Sequence, residues 1–202
     1  MFDRAALALL HPAITAVARG LVAAGVAANT LTLTGFALGC GAALAIASGS
    51  PSMGLVLLLL SRLCDGLDGA VARLSTPTDV GAYLDITLDF LFYASIPLAF
   101  AVAQPAANAL PAAVLLAAFI GTGSSFLAFA ALAHKRGLAS TAFPQKGLYY
   151  LGGLTEASET IVCFALMCLW PQHFAAWAYG FATLCGLTIL SRLWAGWVTF
   201  RT

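Results

Sequence analysis

Between Asp65 and Asp89 the chain sets four carboxylates, those of Asp65, Asp68, Asp85 and Asp89, into stretches that are otherwise apolar. Asp65 and Asp68 are three residues apart and Asp85 and Asp89 four, so on helices each pair shares one face, one turn above the other. Ser75-Thr76-Pro77-Thr78 separates the pairs. Pro77 disfavours helical geometry at Thr76 and removes a backbone donor, so the first helix is expected to end near Leu74 and the second to begin near Asp79. At about 1.5 Å per residue, each arm from the turn to its acids is roughly 15 Å long. A tight turn makes the two helices expected antiparallel neighbours, with the four acids converging on one point.

Composition says where that point lies. Only 8% of the 202 residues are charged and 61% are hydrophobic, whereas an ordinary soluble domain is about 25% charged. The chain is expected to be an integral, multi-pass membrane protein with a single membrane domain over residues 1–202. A net charge of +1 without any basic run gives no footing for nucleic acid. Cys40, Cys64, Cys163, Cys168 and Cys185 sit in apolar segments, lack metal-ligand spacing and read as small apolar fillers. Pro12 and Arg19 interrupt the first apolar run, and no cleavage pattern marks it as a removed leader.

Residues 2 to 20 place Arg4, His11, Thr15 and Arg19 on one helical stripe and Leu10, Ile14, Val17 and Leu21 on another. That is the pattern of an amphipathic helix lying at the membrane surface. Asn29 is expected to cap a first span that ends near Ser48. Along it Gly35, Gly39 and Ala43 recur at intervals of four, which lets another helix backbone approach closely. Further spans are expected over residues 53–74, 79–102, 112–133, 148–170 and 174–200, with 104–111 as a polar loop. The expected fold class is therefore all-α, with six transmembrane helices preceded by an N-terminal surface helix.

In that scheme all nine Lys and Arg residues lie toward the face holding both termini, and the opposite loops, 49–52, 104–111 and 171–173, contain no Lys, Arg, Asp or Glu. The positive-inside rule makes the charged face cytoplasmic, so both termini and the site are expected on that side. An ionised side chain deep in a span costs at least roughly 2.5 to 3.5 kcal/mol, so four approach about 10 kcal/mol without compensation. One or two divalent cations are the natural offset, because hard oxygen ligands suit Mg²⁺, Mn²⁺ or Ca²⁺. Two such ions in a cleft point to chemistry on a phosphate or pyrophosphate. The other account is a polar core in which Arg62, Arg73 and Arg192 pair the acids. Gly69, Ala72 and Gly81 leave room either for a ligand or for tight helix packing. Arg73, beyond Asp68 and near the mouth, either holds a phosphate bidentately or extends to the membrane surface.

The string Asp65-x-x-Asp68-Gly69-x-x-Ala72-Arg73, seven further residues, then Gly81-x-x-x-Asp85-x-x-x-Asp89 resembles the signature of the CDP-alcohol phosphatidyltransferase family. The family pattern has eight residues where this chain has seven, and the missing one falls in the turn. The resemblance implies a six-helix membrane fold, usually dimeric, with a cavity open to the cytoplasm, and an enzyme that displaces CMP from a CDP-linked donor. It further implies that Asp65, Asp68, Asp85 and Asp89 hold two divalent ions, Mg²⁺ or Mn²⁺, and that Asp89 also takes the proton of the acceptor hydroxyl. Gly69, Ala72, Arg73, Thr78 and Gly81 match the nucleotide side of the site, and Asn29 and Thr32 resemble the family's Asn-x-x-Thr. Small members most often use CDP-diacylglycerol, which makes that lipid the expected donor.

The acceptor is expected to be a small polar alcohol. Lys135, Arg136 and Lys146 on the charged side could bind an anionic one, or serve as topology determinants or lipid-headgroup contacts. Glu156 and Glu159, three apart, could bind a cationic or polyhydroxyl one, or pair with Lys146 or Arg192. Two rival classes are an intramembrane Mg²⁺-dependent prenyltransferase, for which a second Asp-rich motif is expected, and an ion-coupled transporter, for which an inverted repeat is expected. Neither feature is found in the sequence.

Overall fold

Helix breakers decide where the elements begin and end. In a computed structural model that describes residues 3–138 and 153–201, with side chains from Pro12 onward, the chain forms α1 (Asp3–Ala23), α2 (Ala28–Ala47), α3 (Pro51–Leu74), α4 (Asp79–Ala103), α5 (Pro105–Lys135), α6 (Ala157–Leu169) and α7 (Phe174–Phe200). A 3-10 turn over Pro171–His173 leads into α7. Every regular element among the described residues is helical, as composition and periodicity predict. Pro51 and Pro105 open α3 and α5 at a position where a missing N–H is no loss. Around Pro77, α3 ends at Leu74 and α4 begins at Asp79, with Thr78 as its cap: the Gly81 N–H donates to Thr78 Oγ1 at 3.1 Å.

Four expectations need correction. Asn29 does not cap α2, which starts one residue earlier behind Ala27 and has no side-chain cap. Its amide is turned across to α4 instead, and a Cβ on Gly81 would stand 2.8 Å from Asn29 Oδ1. Residues 104–111 are not a loop: only Gln104 separates α4 from α5, and Pro111 lies inside α5. Asn108 Nδ2 donates to Phe100 O at 3.1 Å across that junction, tying the two helix ends together. Losing one backbone bond at Pro111 does not stop a helix 31 residues long. The helix expected over 148–170 begins only at Ala157, because Glu156 and Glu159 form a reciprocal capping box that fixes its start there. The expected beginning near residue 148 lies outside the described residues.

The fourth correction concerns the acid-bearing helices. α3 and α4 are not packed neighbours; α2 packs closely against both, and they approach one another far less. Glycine on α2 is the reason. A Cβ on Gly35 would stand 3.1 Å from Cys64 Cβ and 3.2 Å from Ser61 O, so α2 and α3 meet at backbone distance, and Ser61 Oγ donates to Gly35 O at 2.7 Å. One turn on, a Cβ on Gly39 would stand 2.6 Å from the Phe92 ring of α4. With α2 wedged between them, the acids face each other across a gap.

The main core joins α2 to α7 around Leu58, Phe92, Leu115, Phe164, Met167 and Phe174, all fully or almost fully buried. α1 lies along the far half of α3, where Ile14, Ala18 and Leu21 meet Ala70 and Val71. Large apolar side chains cover the outside as well: Leu44, Ile120 and Trp194 are each more than 70% exposed. Such a surface belongs in lipid. The helices α2, α4, α5 and the unit Pro171–Phe200 are long and apolar enough to cross a membrane. α3 has the length, at 24 residues, but carries Arg62, Asp65, Asp68 and Arg73.

Gly39→Ala tests the wedge. The ring of Phe92 is 1% exposed and has nowhere to retreat, so overpacking is expected to destabilise the protein by about 1–3 kcal/mol. Thermal unfolding in detergent should show a lowered midpoint, and an unchanged midpoint would mean that α2 tolerates a Cβ there.

Candidate active site

Asp65, Asp68 and Asp85 come together across the gap. One carboxylate oxygen from each lies within 4.8 Å of the others. Asp68 is 5% exposed, Asp65 half-buried and Asp85 exposed, so the cluster runs from the helix interior toward the opening. The i, i+3 spacing on α3 puts two of these acids on one face, as the spacing predicts, and α4 supplies the third.

Asp89 is not a member of that triad but lines one small cavity with Thr32, Gly35, Arg62, Asp65 and Asp85. Arg62 Nη1 donates to Asp89 Oδ1 at 2.6 Å and lies 3.5 Å from Asp65 Oδ1. Its Nη2 donates to Ser61 Oγ at 3.1 Å, and the guanidinium carbon stands 3.7 Å from the centroid of the Phe92 ring. From the sequence, Arg62 belongs to the charged face and to the polar-core account, with no place in the site. The signal was its position three residues before Asp65, which puts it on the acidic face of α3. Arg192, named in the same account, donates from Nη1 to Thr122 O at 2.8 Å, a bond between α7 and α5.

The other residues assigned to the site fall into three groups on α2, α3 and α4. Thr32 Oγ1 donates to Asp68 Oδ2 at 2.6 Å, so the start of α2 reaches the acid-bearing face of α3. Asn29, Thr78 and Gly81 come together at the start of α4, where the absent side chain of Gly81 admits the Asn29 amide. Arg73 folds back over Gly69, its Nη1 3.3 Å from where a Cβ would stand; Ala72 lies half-buried in the same turn.

The residues suggested for the acceptor are scattered. Lys135 is exposed at the end of α5. Arg136 caps α7, its Nη2 donating to Phe200 O at 3.0 Å. Glu156 and Glu159 are engaged in the capping box of α6. Lys146 lies outside the described residues.

Three carboxylate oxygens converging within 4.8 Å are a hard-donor set that fits a divalent cation such as Mg²⁺ or Mn²⁺, and fits a soft metal poorly. The fold and this cluster define a helical membrane protein with an acidic, oxygen-rich site. The family model for CDP-alcohol phosphatidyltransferase matches residues 25–198, and the chain belongs to that family. It is therefore an enzyme, a transferase of phospholipid biosynthesis, in a family that depends on divalent metal.

Inner membrane protein YnjF of Escherichia coli (strain K12) is 48% identical over 202 residues, covering 100% of this chain and 98% of the relative. With the apolar helices, that likeness makes this a multi-pass membrane protein. The archaetidylinositol phosphate synthase of Methanothermobacter thermautotrophicus is 51% identical over 65 residues, 32% of this chain and 33% of that one. Among solved structures, the phosphatidylinositol phosphate synthase of Mycobacterium tuberculosis with CDP-DAG bound superimposes with a TM-score of 0.71 at 22% identity, over 91% of this chain and 93% of that one. The same enzyme in complex with manganese and citrate gives 0.69 at 22% identity, over 91% and 88%. These two likenesses show a shared fold.

Thr32→Val keeps the side chain's shape and removes the hydroxyl that Asp68 accepts from. Because a hydrogen bond to a charged group is worth about 1.5–3 kcal/mol, stability is expected to fall by that range in detergent unfolding. A change below about 0.5 kcal/mol, the ordinary scatter of surface substitutions, would mean that the bond contributes nothing.

Proposed function

We propose that the chain moves a phosphatidyl group from a CDP-linked lipid, CDP-diacylglycerol, to a small polar alcohol and releases CMP. The observation that carries this reading is the convergence of Asp65, Asp68 and Asp85 beside Asp89, within the motif of a family whose members handle CDP-linked alcohols. A homologous fold with CDP-DAG bound supports the donor.

In this reading Asp65, Asp68, Asp85 and Asp89 would hold two divalent ions, Mg²⁺ or Mn²⁺. Such ions, when bound, supply electrostatic stabilisation of the charge that develops on a pyrophosphate under substitution. The chain's own residues do the rest. Arg73, folded over Gly69 and Ala72 at the end of α3, holds a phosphate of the donor with its planar fork. Asn29, Thr32, Thr78 and Gly81 form the nucleotide side of the opening. Asp89 takes the proton from the acceptor hydroxyl: Arg62 engages Oδ1, and a carboxylate keeps a second oxygen for the transfer. The acceptor oxygen then bonds to the lipid-bearing phosphorus while the bond from that phosphorus to the CMP oxygen breaks, and CMP leaves with the electron pair. For an anionic acceptor, Lys135, Arg136 and Lys146 are the proposed source of positive charge. For a cationic or polyhydroxyl acceptor, Glu156 and Glu159 are the proposed contacts, and their capping box fixes the start of α6.

The same reading places α2 to α7 as six spans of a single membrane domain over residues 1–202, α1 on the cytoplasmic surface, both termini and the site toward the cytoplasm, and two copies in a homodimer. The one-sided distribution of Lys and Arg supports the orientation.

Two measurements test this. Offered labelled CDP-diacylglycerol and a panel of alcohols, the native protein is expected to release CMP with at least one of them. Asp89→Asn is expected to lose at least about 100-fold in rate, the lower end of general-base contributions, while still binding CDP; CMP release equal to the parent would remove Asp89 from the base role. For topology, a single cysteine at Ser50 or at Ser75 is introduced into a chain without its native cysteines. The cysteine at Ser50 should react with an external thiol reagent, and the one at Ser75 only after the reagent gains entry. The reverse pattern overturns the cytoplasmic site.

A further inference from the structure

We propose that Arg62 is a built-in cation that holds the place of a second divalent ion at Asp89, so that the free protein takes one divalent ion and takes the second only together with a nucleoside diphosphate. This rests on the reading of the four aspartates as the divalent-ion site. It adds an order of assembly that the site's acids alone do not dictate.

Arg62 is fixed in place. Its side chain is 8% exposed, its guanidinium lies against the Phe92 ring, and Nη2 donates to Ser61 Oγ. Its Nε is buried without a hydrogen-bond partner, an arrangement that costs free energy and persists only where other contacts over-determine the side chain. The fork points at Asp89, 2.6 Å away, and touches Asp65 at 3.5 Å. The three oxygens that converge are those of Asp65, Asp68 and Asp85; the carboxylate left out of that group is the one Arg62 engages.

Charge gives the consequence. With all four aspartates ionised and Arg62 in place, one divalent ion leaves the cluster one unit negative, and a second makes it one unit positive. A fixed cation and two divalent ions in one small cavity repel each other strongly at low effective dielectric. A pyrophosphate brings negative charge to both ions and reverses that balance. The second ion therefore waits for the ligand, and Arg62 sets the threshold. In this role Arg62 is a positioning residue that acts through Asp89.

The test is Mn²⁺ titration of the detergent-solubilised full chain, with free Mn²⁺ followed by electron paramagnetic resonance, in the presence and absence of CDP. The native protein is expected to bind one Mn²⁺ per chain alone and two with CDP. Arg62→Gln is expected to bind two without CDP, its second site tightened at least about tenfold by removal of the fixed charge. Arg62→Lys, which keeps the charge, is expected to remain at one. Two equivalent ions on the native protein without CDP would overturn the proposal, and so would an Arg62→Gln protein that titrates like the native one. If Arg62→Gln does not fold, the native stoichiometry decides alone. CMP release on the same preparation separates the two levels. Release with two equivalent ions overturns the role of Arg62 and leaves the reaction standing, whereas neither Mn²⁺ binding nor release overturns both.

Discussion

Carboxylates inside an apolar helical shell must be neutralised, and much of this structure is arranged around that requirement. Asp68 is almost wholly buried and is met by the Thr32 hydroxyl. Asp89 and Asp65 share Arg62. Asp85 is the exposed member of the group. Hydrogen bonds and one guanidinium soften the cost of the four acids without cancelling it, because a single positive charge cannot balance four negative ones. A residual negative charge of that kind suits a cation, in keeping with a metal-dependent family.

The second constraint is separation. Acids on two helices packed directly together would repel one another and leave no space for a ligand. α2 prevents that by lying against both α3 and α4, which its glycines permit. Gly35 lets the α2 backbone reach Ser61 and Cys64, and Gly39 lets it reach Phe92. The same helix delivers Asn29 to Gly81 and Thr32 to Asp68. One element thus sets the width of the gap and lines its edge.

The helical class, the break at Pro77 and the position of the four acids were legible in the sequence because each rests on local chemistry: hydropathy, proline geometry and residue spacing. What the sequence concealed is tertiary. Spacing shows that Asp85 and Asp89 share a face but not that an arginine 27 residues upstream takes one of them. The small-residue stripe of α2 announced a close approach without naming its partners, so α3 and α4 looked like neighbours when α2 lies against both. Asn29 has the chemistry of a helix cap, and the tertiary contact with α4 outweighed that local preference. The pair Glu156 and Glu159 carried the capping-box spacing, but an apolar run on both sides masked the start signal.

Core and site meet at Phe92. Its edge fills the space that Gly39 leaves open, its face carries the Arg62 guanidinium, and its neighbours Tyr93 and Phe164 wall it in at ring-centroid distances of 5.4 and 6.4 Å. A guanidinium held by hydrogen bonds alone could rotate among the acids. One that also rests over a buried ring, 3.7 Å from its centroid, keeps Nη1 on Asp89. The position of that charge is therefore set by hydrophobic packing, and a change in the apolar core is transmitted to the acids through one aromatic ring.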